Sequence, residues 1–377
     1  MKILYTNFHP RNGGGHATYV ANLAACLQGE HQVMVATPAS SRLYAQVGQV
    51  PGVRAIAAAF STRLAPMLVE VARLRRLLRR EAFDIVHVNG SADHRQIMLA
   101  CLGLRQAPRI VFTKHNTMRL DSVGNRIRAR LGTDGAIGVS DFVSRLLRRS
   151  PYVRVPIRTI RHGVDTDRFR PRDAAWVRAQ RQALLGTLPG GVLVLASVGG
   201  TDRDKGWLYL ARALACLTPE QQARFRVLVA GDPLRGRLLE DFQALGLDHC
   251  VKFPGLVRDP ERILALADVG FVLSDHEACS FAACESLATG LPTLVSDAGG
   301  LPEVVRHSED GWVVPAGDVL ALKEWLLSRL REPLPGTMAL AARARALDTF
   351  SMAVFARNTQ DFYHTLIAPG VSGRTAS

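Results

Sequence analysis

No apolar run in this 377-residue chain approaches the roughly 20 residues that cross a bilayer, which argues against a membrane-spanning helix as the organising element. The six cysteines form neither a CxxC pair nor a zinc spacing, so they read as reduced thiols, mostly small core residues. Aromatic residues make up only 6%, with no pattern that interleaves them with basic residues as a nucleic-acid surface does. A GxGxxG fingerprint, a fixed-period repeat and a low-complexity block are all missing. The N-terminus MKILYTNFHP runs directly into a strand pattern, so no signal peptide is expected. Acid is scarce in one half alone. Residues 1–172 hold 27 Lys and Arg against 10 Asp and Glu, a balance of +17, while the remainder holds 20 against 23, or −3. That asymmetry points to an anionic partner approached by one face: a nucleic acid, an anionic membrane surface or a phosphorylated glycan. Arginine-rich codon usage would give the same count with no function attached.

What is present is the repeated unit of an α/β protein. Hydrophobic residues at 47% and charged residues at 21% describe a globular chain, long enough for two domains. KILYTN, then the glycines Gly13, Gly14 and Gly15, then an apolar-striped helix from about residue 16 to 27 is a strand, a turn and a helix in which bare backbone can approach a ligand. Strands follow at 32–37, 83–89, 109–114 and 135–139, with a helix at 96–104 between two of them. The segment 64–81, LAPMLVEVARLRRLLRRE, carries an apolar stripe beside Arg73, Arg75, Arg76, Arg79 and Arg80. It suits an ordinary sheet-packing helix, a helix on anionic lipid, or both at once. His115 stands at the C-terminal edge of the 109–114 strand, where open parallel sheets collect ligands, though a structural histidine would also sit there. The second half opens with VLVLASV at 192–198, a buried parallel strand, and its edge carries Gly200, Arg203 and Lys205, a reasonable diphosphate clamp.

One stretch organises the remainder. Residues 274–292, SDHEACSFAACESLATGLP, place Glu277 in a loop and Glu285 one turn into a helix capped by Ser280 and stopped at Gly290. A helix start presents free N–H groups and a positive dipole end to phosphate, and carboxylates beside it can accept from hydroxyls. A nucleotide-sugar fits that description better than a bare nucleotide. A solvated helix residue and a turn residue would have the same spacing.

Glu277, Glu285 and the GLP at 290–292 resemble the paired-glutamate signature of retaining glycosyltransferases of the GT-B fold, the large bacterial family 4 type. The likeness extends over almost the whole chain, including IRHGVDTDRFRP at 160–171, which resembles the family's hinge phrase. It implies two facing Rossmann-like domains with parallel sheets. An acceptor-side domain would cover 1–172 with a returning helix at 350–368, a nucleotide-sugar domain 173–349, and a flexible tail 369–377. In the resemblance Glu277 and His115 act on the transferred sugar. Glu285 holds the ribose, and Lys205 grips the diphosphate with the helix end at Ser280 and Phe281. Leu256 and its neighbours bind the base through backbone, and the loop Gly13, Gly14, Gly15 lies between donor phosphate and acceptor. The chain departs from the family pattern at three places: Gly200 stands where the family has a diphosphate-binding arginine, with Arg203 close enough to substitute; Asn116 replaces an aspartate; and Ala278, Cys279 and Ser280 replace Gly-Phe-Gly.

The resemblance further implies transfer from a UDP-, GDP- or ADP-sugar with retention, and no cofactor or metal. The expected acceptor is a glycan or glycolipid, with lipopolysaccharide or another envelope polysaccharide as product. The enzyme is expected in the cytoplasm, peripheral on the anionic inner face of the membrane, with no nucleic acid as partner. A non-catalytic two-domain sugar- or nucleotide-binding protein and a nucleic-acid-binding protein are the competing readings.

Overall fold

The computed structural model describes residues 1–11 and 14–368, so Gly13 and the tail 369–377 lie outside the described residues. The chain forms two compact units: Met1–Gly163 together with the chain from Met352 onward, and Val164–Ser351.

The first unit is a wholly parallel seven-stranded sheet. Its strands are β1 (Lys2–Thr6), β2 (Gln32–Thr37), β3 (Val53–Ala57), β4 (Ile85–Val88), β5 (Arg109–Lys114), β6 (Gly135–Gly138) and β7 (Ile157–Thr159), in the order β3-β2-β1-β4-β5-β6-β7. Every residue of β4 is buried, as a sheet covered on both faces requires. The strand order reverses between β1 and β4, and a crevice opens at the carboxyl ends of strands at such a switch point. The Gly14–Leu27 helix buries Tyr19, Val20, Leu23 and Leu27. The C-terminal Met352–Ile367 helix packs against it and reaches the sheet through a buried chain of hydrogen bonds. Tyr363 donates to the Tyr5 hydroxyl at 3.2 Å. The Tyr363 oxygen is therefore left to accept from His87 Nδ1, and His87 Nε2 accepts from Thr113 Oγ1, both at 2.5 Å. The Leu64–Glu81 helix has the bounds its periodicity predicts and inserts Leu74 and Leu78 into the core. Its first turns leave Leu64, Leu68 and Val69 more than half exposed.

The second unit repeats the plan with six parallel strands. These are β8 (Leu193–Ser197), β9 (Phe225–Val229), β10 (Val251–Lys252), β11 (Val269–Val272), β12 (Thr293–Ser296) and β13 (Gly311–Val314), in the order β10-β9-β8-β11-β12-β13. Its reversal falls between β8 and β11. Residues 164–172, which the sequence assigns to the first domain, fold with this unit. Val164 N donates to Phe350 O, Phe169 joins the buried cluster that includes Ala283 and Leu287, and Arg343 donates to the carbonyls of Thr166, Phe169 and Ala288.

Candidate functional site

In the second unit the two loops at the switch point are locked together before any ligand is considered. Asp275 N donates to Asp204 O at 2.9 Å. Gly206 has φ +71, and a Cβ there would lie 1.7 Å from Leu273 O, so only glycine lets the β8 loop close on the end of β11. Gly299 does the same for the other loop: φ is +58, and a Cβ would lie 1.9 Å from Glu277 O. Gly300 N donates to the same Glu277 O at 2.9 Å, which fixes the Glu277 backbone from both glycines.

These locks bring Lys205 Nζ to 3.6 Å from Glu277 Oε2. Both side chains are mostly buried, so the pair interacts through a lower dielectric than water. Next to it the Phe281–Ala288 helix begins, with Ser280 as N-cap accepting from Ala283 N at 3.3 Å. The positive end of this helix's dipole faces the same edge, an arrangement that favours an anion. Glu285 follows one turn in. Burial pushes its carboxyl up to about 7, Arg168 pulls it down and Glu261 pushes it up. Leu256 is 72% exposed in the loop after β10, so its backbone is open to a flat ligand.

The loop at Gly200 differs from this arrangement. Gly200 has φ +100 with open space where a Cβ would stand. Arg203 does not fill that space; its guanidinium pairs with Asp241 on the Gly236–Gln243 helix. In this structure Lys205, rather than Arg203, is the cation beside Glu277.

In the first unit, His115 follows β5 at the switch-point edge. Asn89, at the end of β4, donates through Nδ2 to Thr6 O and His87 O, which leaves its Oδ1 to accept from His115 Nε2 at 2.8 Å. His115 is therefore neutral with its proton on Nε2, and its Nδ1 is buried without a hydrogen-bond partner among the described residues. Burial, then neighbouring His16, His162, His87 and His9, hold its pKa well below the ordinary histidine value. The His16 ring lies 4.4 Å from that of His115, and Tyr19 meets His115 edge-on at 4.6 Å. His16 Nδ1 is 3.4 Å from His9 Nε2, and burial holds His16 at about 4. Gly14, with φ +50, and Gly15 are exposed at the start of the same helix. Asn116, the departure from aspartate, accepts from Lys114 Nζ at 2.8 Å, and burial holds that lysine down to about 8.

Sequence reasoning missed Asn89, His16, Arg168 and Glu261. The first lies two residues after a strand histidine in VHVN, a register that puts both on one face of the sheet. The last pair is separated by 93 positions and gives no local signal. Among the described residues no group of three or more His, Cys, Asp or Glu is arranged to take a metal ion, the histidine cluster included. No described helix is long and apolar enough to cross a membrane.

Residues 13–168 match Glycosyltransferase Family 4 and residues 192–332 match Glycosyl transferases group 1, one family for each sheet. The chain belongs to the GT-B glycosyltransferases. Among curated relatives, this glycosyltransferase is 26% identical over 336 residues to GDP-mannose-dependent alpha-(1-6)-phosphatidylinositol monomannoside mannosyltransferase of Mycobacterium tuberculosis, covering 84% of this chain and 86% of the relative. It is 34% identical over 205 residues to D-inositol 3-phosphate glycosyltransferase of Saccharomonospora viridis, an alignment that spans 50% of this chain and 46% of that enzyme. Its fold matches the Anabaena protein HepE, solved with UDP and glucose, at a TM-score of 0.81 and 19% identity over 96% of this chain and 99% of the other.

Proposed function

We propose that this glycosyltransferase moves a sugar, with retention at the anomeric carbon, from a UDP-, GDP- or ADP-sugar to a glycan acceptor. The observation that carries this reading is the Lys205–Glu277 pair at a helix start, with Glu285 one turn further on. Lys205 and the N–H groups of Phe281 and Ala282 neutralise the diphosphate as it leaves, a charge that grows toward the transition state. Glu285 accepts from the ribose hydroxyls, and the backbone around Leu256 holds the base. Glu277 orients the sugar. A covalent glycosyl–enzyme intermediate would need a free carboxylate as nucleophile, and Glu277 is already engaged by Lys205. Front-face displacement fits better: the bond from the anomeric carbon to the phosphate oxygen breaks with its electron pair going to phosphate. The acceptor oxygen bonds on the same face and gives up its proton to the departing phosphate. His115 contacts the transferred sugar, and the loop at Gly14 and Gly15 serves acceptor and phosphate.

The acceptor is a lipid-linked envelope glycan such as lipopolysaccharide, met on the cytoplasmic face of the membrane. Two features support this. The exposed Leu64, Leu68 and Val69 stand on the same helix as five arginines in a half of the chain with a balance of +17. The M. tuberculosis relative acts, by its name, on a phosphatidylinositol mannoside. A donor screen with purified protein tests the reading. Lys205→Ala is expected to lower kcat/KM for the preferred donor by about 100-fold with the thermal midpoint unchanged. Equal transfer by variant and parent would contradict the clamp, and donor binding without turnover would favour a binding protein.

A further inference from the structure

In the first unit, β5 ends on a lysine that water hardly reaches: Lys114 is 3% exposed. A buried ammonium ordinarily has a carboxylate beside it, because an unpaired charge is costly to take out of water. Here its partner among the described residues is an amide. Lys114 Nζ donates to Asn116 Oδ1 at 2.8 Å, and the same oxygen accepts from Met118 N at 3.2 Å. Two donors on one oxygen fix which end of the amide is which, so Asn116, itself exposed, has only its Nδ2 group left to offer. Lys114 keeps two N–H donors and Asn116 two more, with no acceptor for any of them among the described residues.

The carboxylates of the surrounding elements are committed elsewhere. Asp93 accepts from Thr6 Oγ1 and Asn89 N. Asp121 pairs with Arg119, Asp134 with Arg109 and Asp141 with Arg161. Burial is also what brings the Lys114 pKa down to about 8, as expected of an ammonium that no carboxylate faces. An aspartate at 116 would have the shape of Asn116 and would neutralise the lysine from within. Asparagine instead leaves a positive charge and a set of donors at the carboxyl edge of the sheet, one residue from His115. Donors on two side chains, one of them charged and already desolvated, are the composition of an oxyanion site.

We propose that Lys114 and Asn116 form an anion subsite of the first unit that takes a phosphate or carboxylate group of the acceptor. The acceptor is then an acidic glycan, phosphorylated or bearing a uronic acid, and this pair selects it over a neutral one. The inference rests on the reading above that the acceptor meets the first unit.

The test is titration calorimetry of the full chain at pH 7 and physiological salt with inorganic phosphate, glucuronate and, as the neutral control, glucose. The parent is expected to bind at least one of the two anions, and glucose more weakly than either. Asn116→Asp supplies the negative charge internally and weakens anion binding about tenfold, the worth of one charge-assisted hydrogen bond. Its thermal midpoint without anion is no lower than the parent's, so the loss is not one of folding. Lys114→Met weakens binding at least as much. Phosphate alone bound at this site identifies a phosphorylated acceptor, and glucuronate alone a uronic one. A lysine that serves only the fold predicts otherwise. Equal anion binding by parent and Asn116→Asp, which places the anion elsewhere on the basic half, overturns the proposal, and so does a parent that binds neither anion. UDP, GDP and ADP are titrated into the same proteins, and their affinity is expected to be the same in Asn116→Asp as in the parent. Nucleotide binding without anion binding overturns this inference alone, whereas anion binding without nucleotide binding overturns the donor site and leaves the subsite in place.

Discussion

The two units share a strand order and put their candidate site residues at the same place, the carboxyl edge beside the order reversal, yet they arm it oppositely. The first unit buries imidazoles that must stay neutral. The second holds Glu285, half-buried, whose carboxyl is raised by the burial it has. Burial disfavours the ionised form of either group, so it lowers the histidines and raises the glutamate. One scaffold therefore carries two pH dependences of opposite sign.

Acid is expected to break the symmetry most. Burial holds His87 at about 3 and His16 at about 4, whereas the unfolded chain takes its protons near 6.5. The stability these groups contribute is complete above pH 6.5 and is lost as pH falls toward those values, by roughly 2 kcal/mol for fully buried His87 at pH 5 and by less for half-buried His16. All four tryptophans, Trp176, Trp207, Trp312 and Trp325, lie in the second unit. Circular dichroism should therefore record loss of the first unit on acidification before tryptophan fluorescence changes. Coincident transitions would contradict the comparison.

The second unit should show the reverse, on a smaller scale. Glu285 binds its proton more tightly folded, at about 7, than unfolded, near 4.5, so its burial costs stability as pH rises through that window. Glu285→Gln is expected to stabilise the fold by about 2 kcal/mol at pH 8 and to make no difference at pH 4. Nucleotide affinity should fall in the same variant. Thermal melts of parent and variant at both pH values check the sign. A variant less stable at pH 8 would mean that Glu285 makes contacts worth more than its desolvation.

Local signals made much of this legible in advance. β2, β5 and the Leu64–Glu81 helix have the predicted bounds because each is a strong local pattern between clear breakers. Ser280 caps the helix that holds Glu285 as the spacing predicts. The helix predicted at 96–104 starts instead at Ser91. Its first turns, SADHRQ, read as loop, but Asp93, His94 and Gln96 are buried there. Asp93 accepts from Thr6 Oγ1, and Gln96 donates to Ser61 O. Such partners are distant in sequence and override local polarity. The short helices Arg42–Val47, Pro219–Gln222 and Gly236–Gln243 are too brief to show a period. At the candidate site, the element each residue sits on was readable, whereas the pairings were not. Arg203 lies two positions from Lys205 and still turns to Asp241, while Arg168 reaches across 93 positions to Glu261.

Hydrogen–deuterium exchange on the parent protein, with and without the preferred nucleoside diphosphate, tests the central claim most directly. Bound nucleotide is predicted to slow exchange at residues 199–206, 255–258 and 277–285, leaving the edge at Asn89 and His115 unchanged. Protection confined to the first unit, or none in those three segments at saturating nucleotide, would contradict the assignment of the donor to the Lys205–Glu277–Glu285 edge.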